Sequence, residues 1–144
     1  MNNTGKKLNP ALKGGEIIIY AAGNKSPRLE VKLDGETVWL TQKQMAQLFK
    51  KDLRTINEHI RNVFKEKELD GKSVIRKFRI TAADGKDYNT SFYNLDVVIS
   101  IGYRVKSQNG TRFRIWATGL LKKHLVAGYT VIHNLLAEQA NKLE

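Results

Sequence analysis

The stretch TQKQMAQLFKKDLRTINEHIRNVF, Thr41 to Phe64, decides how the chain is read. It holds two apolar-periodic segments with a polar break between them. Met45, Leu48 and Phe49 recur at helical spacing, Lys50-Lys51-Asp52 interrupts them, and Ile56, Ile60, Val63 and Phe64 form a second stripe. Thr41 sits where an N-cap belongs, and Gln44 three residues on completes a capping box. A helix-turn-helix needs a small residue where its helices touch, a tight turn, and an apolar anchor on the second helix. Ala46 and Ile56 meet the first and third needs. The turn position is Lys50, where glycine is preferred because positive φ is costly for a residue with a Cβ. The next expected apolar position is His59, with Ile60 beside it. By itself the match is as compatible with two ordinary packed helices as with a DNA reader.

The flanking sequence favours the reader. Upstream, EIIIY (16–20) reads as a strand, and RLEVKLDGETVWL (28–40) reads as a hairpin turning at Asp34-Gly35 in a type I′ turn. Downstream, the second helix is expected to reach about Leu69. SVIRKFRITAADGKDYNTSFY (73–93) then reads as a second hairpin with Asp84-Gly85 near its tip. Strand, helix, turn, helix, hairpin is the order of a winged helix. The second helix would enter the major groove, and the hairpin would lie along the backbone.

With Ile56 and Ile60 facing inward, Arg54, Thr55, Asn57, Glu58 and Arg61 face out and are the candidate base readers. Arginine matches guanine and asparagine matches adenine through paired hydrogen bonds. Lys43, Lys50 and Lys51 lie near helix ends, where phosphates are met. Arg76, Lys77, Arg79 and Lys86 decorate the expected wing.

From Asn94 the pattern is helical again, though β-branched enough that a strand stays open. Thr111 is expected to cap a long helix, with a break or bend near Gly128. Between Val97 and Ala137 there is no Asp or Glu, while Arg104, Lys106, Arg112, Arg114, Lys122 and Lys123 carry six positive charges. They account for more than half of the net +11, and a merely solvated face mixes signs. The segregation points to a phosphate polyanion. Arg104, Lys106, Arg112 and Arg114 flank a Gly-containing loop leading into a helix and are candidate phosphate contacts.

Other functions find little support. There is no cysteine, so disulfides and thiolate metal sites are excluded and an intracellular, cytoplasmic setting is expected. No apolar run approaches a membrane span of about 18 residues. His59, His124 and His133 do not cluster at ligand spacing; the last two fall on opposite sides of a helix. No phosphate-binding glycine loop and no G-x-S-x-G elbow occurs. The expectation is a protein without catalytic residues, metal or cofactor. A rival reading makes it a protein–protein module acting on a partner or on a further domain. Leu125, Tyr129, Ile132 and Leu136 could pair two subunits into a homodimer, or could pack within the chain.

Taken together, EIIIY, VWLTQKQMAQLF, ITAADGKDYNTSFYNLDVVISIGYRVKS and GTRFRIWATGLLKKHLVAGY resemble the RhuM-type virulence protein family, from about Glu16 to Tyr129. The last two strings are more distantly similar to Bro-N and KilA-N type domains of phage and large DNA viruses. The resemblance implies a bacterial DNA-binding protein associated with mobile or virulence-linked elements, and a chain that is the N-terminal portion of longer relatives. It also implies glycine at the position of Lys50, where this chain departs. The fold expected is therefore α+β: a polar arm over 1–15, a winged helix-turn-helix-like region with β-hairpins over 16–93, and a helical region over 94–140 packed on it. The function expected is double-stranded DNA binding by a transcriptional regulator.

Overall fold

The computed structural model describes residues 15–21 and 28–142, without the side chains of 128–133 and 141–142. The expected arm lies outside the described residues apart from Gly15, as do residues 22–27 and 143–144.

Strands β1 (Glu16–Tyr20), β2 (Leu29–Asp34) and β3 (Thr37–Thr41) come first. Helices α1 (Gln42–Phe49), α2 (Leu53–Lys65) and the short α3 (Gly71–Val74) follow. Strands β4 (Ile75–Thr81) and β5 (Asp87–Asn94) precede α4 (Leu95–Arg104) and α5 (Gln108–Lys142). The architecture is α+β, with a five-stranded antiparallel sheet in the order β1-β2-β3-β5-β4.

Alternation in β2 buries Leu29, Val31 and Leu33 on one face, and Val38 and Leu40 of β3 join them. The helices cover this face. Met45, Leu48 and Phe49 of α1, Ile56, Ile60 and Val63 of α2, Val97, Val98 and Ile101 of α4, and Phe113 and Ala117 of α5 complete one core. Ile56 is the anchor its spacing predicts, with no exposed surface.

The first hairpin differs from expectation by one residue. Asp34 pairs with Thr37, so the loop is Gly35-Glu36. Only Gly35 has positive φ, at 69°, which suits a type II′ turn with glycine first rather than the type I′ turn expected. The second hairpin turns over 82–86 as expected. Asp84 organises its tip by accepting the Lys86 N–H at 2.9 Å and the Tyr88 hydroxyl at 2.7 Å.

The local caps are largely those the sequence announces. Thr41 Oγ1 accepts the Gln44 N–H at 3.1 Å, and Gln44 Oε1 accepts the Thr41 N–H at 2.9 Å. Asn94 accepts the Val97 N–H, opening α4 as a helix and not a strand. Three expectations are corrected. Helix α2 ends at Lys65, because Lys67 takes the left-handed conformation and Glu68 N–H bonds back to Val63. Helix α5 opens at Gln108, with Ser107 accepting the Gly110 N–H, so Thr111 lies inside the helix and does not cap it. The backbone of α5 stays helical through Gly128, so the helix does not break there.

The helical half meets the helix pair at two glycines. A Cβ at Gly110 would lie 3.0 Å from Phe49 Cε1 and 3.2 Å from the Gly102 Cα, whereas one at Gly102 would lie 3.4 Å and 3.5 Å from its nearest neighbours. Only the first is tighter than ordinary contact. Gly110→Ala should therefore be destabilising: overpacking costs about 1–3 kcal/mol, more than the helix-propensity gain of about 1 kcal/mol. Gly119→Ala, with open space around its Cβ, should gain up to about 1 kcal/mol. Thermal melts should rank Gly119→Ala above wild type and Gly110→Ala below it. A Gly110→Ala protein melting at or above wild type would contradict the packing described.

Candidate nucleic-acid interface

Helix α2 projects a polar face because Ile56, Ile60 and Val63 are held inside, while Leu53 in its first turn is exposed. Asp52 caps it, Oδ1 accepting the Thr55 N–H at 2.8 Å. Its hydrogen bonds to Thr55 hold the Asp52 carboxyl below the usual aspartate range. Arg54, Asn57, Glu58 and Arg61 are exposed on the outer face, and Thr55 is half-buried. Lys43 is exposed in the first turn of α1.

The α1–α2 turn closes without glycine. Lys50 adopts φ 56° and ψ 47°, Lys51 N–H bonds to the Ala46 carbonyl at 3.0 Å, and Lys50 N–H bonds to Gln47 at 3.4 Å. This paired arrangement satisfies two helix-end carbonyls. Lys67 and Lys106 repeat it after α2 and α4, at φ 59° and 53°. All three are lysines in a conformation that glycine adopts more readily.

On the hairpin the cations divide between two faces. Ile75, Lys77 and Arg79 alternate on the face of Tyr93, which pairs with core residue Leu40; Lys77 and Arg79 are exposed, as is Lys86 at the tip. Arg76 lies on the other face. It bonds to Asp34 at 3.1 Å and stacks 4.6 Å from the Trp39 ring centre. There Trp39, Phe78 and Phe92 form a second, small aromatic cluster, with Lys32 4.5 Å from the Phe78 ring centre. The reading of the sequence missed this cluster, whose members come from three strands.

Arg104 differs from its sequence reading too. It is held between Glu66 at 2.7 Å and Glu68 at 2.9 Å, and the Ser100 hydroxyl and Arg104 keep the Glu68 carboxyl below its usual range. Arg76 and Arg104 each have carboxylate partners within the fold, and the Arg76 side chain remains about half exposed. Arg112 is exposed and donates a hydrogen bond to the Asn109 side-chain oxygen at 3.4 Å. Lys106, Ser107, Thr111 and Arg114 line an open pocket of about 260 Å³ between α4 and the start of α5. Among the described residues no cluster of His, Asp and Glu could hold a metal, and no helix is long and apolar enough to cross a membrane.

These features define an α+β protein with a polar helix face and, next along the chain, a cationic hairpin. The family model for the virulence protein RhuM family matches residues 73–144, half of the chain, and the protein belongs to that family. The match takes in the β4–β5 hairpin, α4 and α5; α1 and α2 precede it. No curated protein and no solved structure matches the chain.

Lys50→Gly should relieve the left-handed strain and raise stability by about 1 kcal/mol at most, read as an increased Tm. A lowered Tm would show that the lysine side chain itself holds the turn.

Proposed function

We propose that the protein binds double-stranded DNA as a transcriptional regulator, with α2 in the major groove and the β4–β5 hairpin as a wing. One observation carries this reading. Helices α1 and α2 are inserted between β3 and β4, and β5 returns between those two strands, giving the order β3-β5-β4 beside a short-turned helix pair. This order supports a winged helix-turn-helix reading, in which the second helix of the pair reads base edges. The outer face of α2 suits the task, since Arg54, Asn57 and Arg61 carry the side-chain types that pair with guanine and adenine. Thr55 and Glu58 flank them. Lys43, Lys50, Lys51, Lys77, Arg79 and Lys86 are exposed cations suited to phosphates, with Lys106 and Arg114 beside them in the helical half. A cytoplasmic regulator linked to a mobile or virulence-associated element fits this reading.

A second reading rests on α5. Beyond Leu121 its described side chains are exposed, among them Leu125 at 54%, Val126 at 64%, Leu135 at 54% and Leu136 at 58%. A projecting helix of this kind suits a protein partner. The two readings join if two copies pair through α5 and read two half-sites; the Tyr129 and Ile132 side chains of the expected seam lie outside the described residues. An adaptor would use α5 and ignore DNA.

The salt dependence of binding to duplex DNA separates them. Neutralising about six phosphates should make log K fall with log salt at a slope near −5. Truncating Arg54 or Asn57 to alanine should shift stability by less than about 0.5 kcal/mol, as at other exposed helix positions. Each should nonetheless cost about 1–3 kcal/mol of specific binding. A flat titration, or no binding at about 50 mM salt, would leave the adaptor reading in place of the regulator.

A further inference from the structure

The helical half reaches the α1–α2 turn through one side chain. Asn109, near the start of α5, donates from Nδ2 to the Leu48 carbonyl at 3.0 Å, a contact between residues 61 positions apart. Leu48 lies in the last turn of α1, where carbonyls lack a partner within the helix. The other end of the same amide, Oδ1, accepts from Arg112 Nη1 at 3.4 Å. The Phe49 ring, packed against Gly102 and Gly110, fixes the two elements on either side of this bridge. Arg112 is thereby tied to the end of α1, next to which the chain presents Lys50 and Lys51, both exposed. Its partner is a neutral amide, so its charge stays uncompensated. Among the described residues the ion pairs engage only Arg76 and Arg104. Through Asn109, Arg112 is linked to the end of α1, and Lys50 and Lys51 follow that end directly before the N-terminus of α2.

We infer that Lys50, Lys51 and Arg112 form one surface for the phosphodiester backbone of duplex DNA, spanning both halves of the protein, and that Asn109 is its positioning residue. The inference rests on the DNA-binding reading above. The site is cationic, and it continues the edge of the helix proposed to enter the groove, where a backbone flanks the bases being read. Fixing a long arginine side chain before binding lowers the ordering cost of each phosphate contact. The Asn109 bridge therefore makes Arg112 part of the interface and not a freely solvated charge.

The test is a two-residue cycle on the full chain with a fluorescent duplex of random sequence, titrated from about 50 to 300 mM salt. Arg112→Gln should reduce the salt slope by about one unit. Asn109→Ala removes no charge, yet it should weaken binding several-fold. The double variant should bind no worse than Arg112→Gln alone, because the amide acts through the arginine. Lys86→Gln, at the hairpin tip, should instead combine with Arg112→Gln independently. An unchanged slope for Arg112→Gln overturns the inference even if Asn109→Ala folds poorly. Independent, multiplicative effects of Asn109→Ala and Arg112→Gln overturn it as well and return Asn109 to a purely structural role. Wild-type protein that fails to bind the duplex overturns the DNA-binding reading itself, whereas a binding wild type with an unaltered Arg112→Gln slope overturns only the shared surface.

Discussion

The contact of the Phe49 ring with Gly102 and Gly110 is the constraint on which the arrangement of the helices depends. The ring closes α1, while the glycines lie in the last turn of α4 and the first turn of α5. The convergence is tight at Gly110, where a Cβ would lie 3.0 Å from the ring, whereas one at Gly102 would make ordinary contact. From that point α1 and α2 lie against the face of the sheet formed by β2 and β3, and α5 leaves with Phe113 and Ala117 buried in the same core. The packing of one aromatic ring against Gly110 thus helps to set where the α1–α2 turn stands relative to the cation-rich helical half.

Charge is then distributed around this frame with a clear division of labour. Arg104 ties the end of α4 to Glu66 and Glu68 after α2, and Arg76 ties β4 to Asp34 across the sheet. Surface ion pairs contribute little each, typically up to about 1 kcal/mol. Their more definite consequence is that these two guanidinium groups are engaged at home. The cations of the α1–α2 turn, the α2 face and the start of α5, and those of the hairpin other than Arg76, have no carboxylate partner among the described residues. Three lysines occupy left-handed helix-end positions where glycine would be easier, which keeps positive charge at each of those ends.

Features set by neighbours in sequence were legible in it. The Thr41–Gln44 box, the Asn94 cap, the inward Ile56 and the outward Arg54, Asn57 and Arg61 follow from spacings within one or two helical turns. Where two similar residues compete locally, the reading slipped. Ser107 and Thr111 both offer a capping hydroxyl, and the first is used. Asp34-Gly35 and Gly35-Glu36 both offer a turn, and strand pairing selects the second. Contacts between distant stretches were not legible. The partners of Arg76 and Arg104 lie 42, 38 and 36 positions away, and the Trp39–Phe78–Phe92 cluster forms only when β5 settles beside β3 and β4. The bridge from Asn109 to Leu48 is of the same kind. Asparagine in a polar loop signals a turn or a cap, and nothing local marks it as a link between two halves.

The central claim is that the outer face of α2 reads DNA sequence. Selection of bound sites from a random duplex library, run in parallel on wild type and on Asn57→Ala, tests it most directly. The account expects wild type to enrich a defined motif, and Asn57→Ala to enrich the same motif with preference relaxed at one base pair, an adenine in the wild-type selection. Enrichment of no motif by wild type, or of an identical motif by both proteins, would contradict it and leave the helix pair as scaffold.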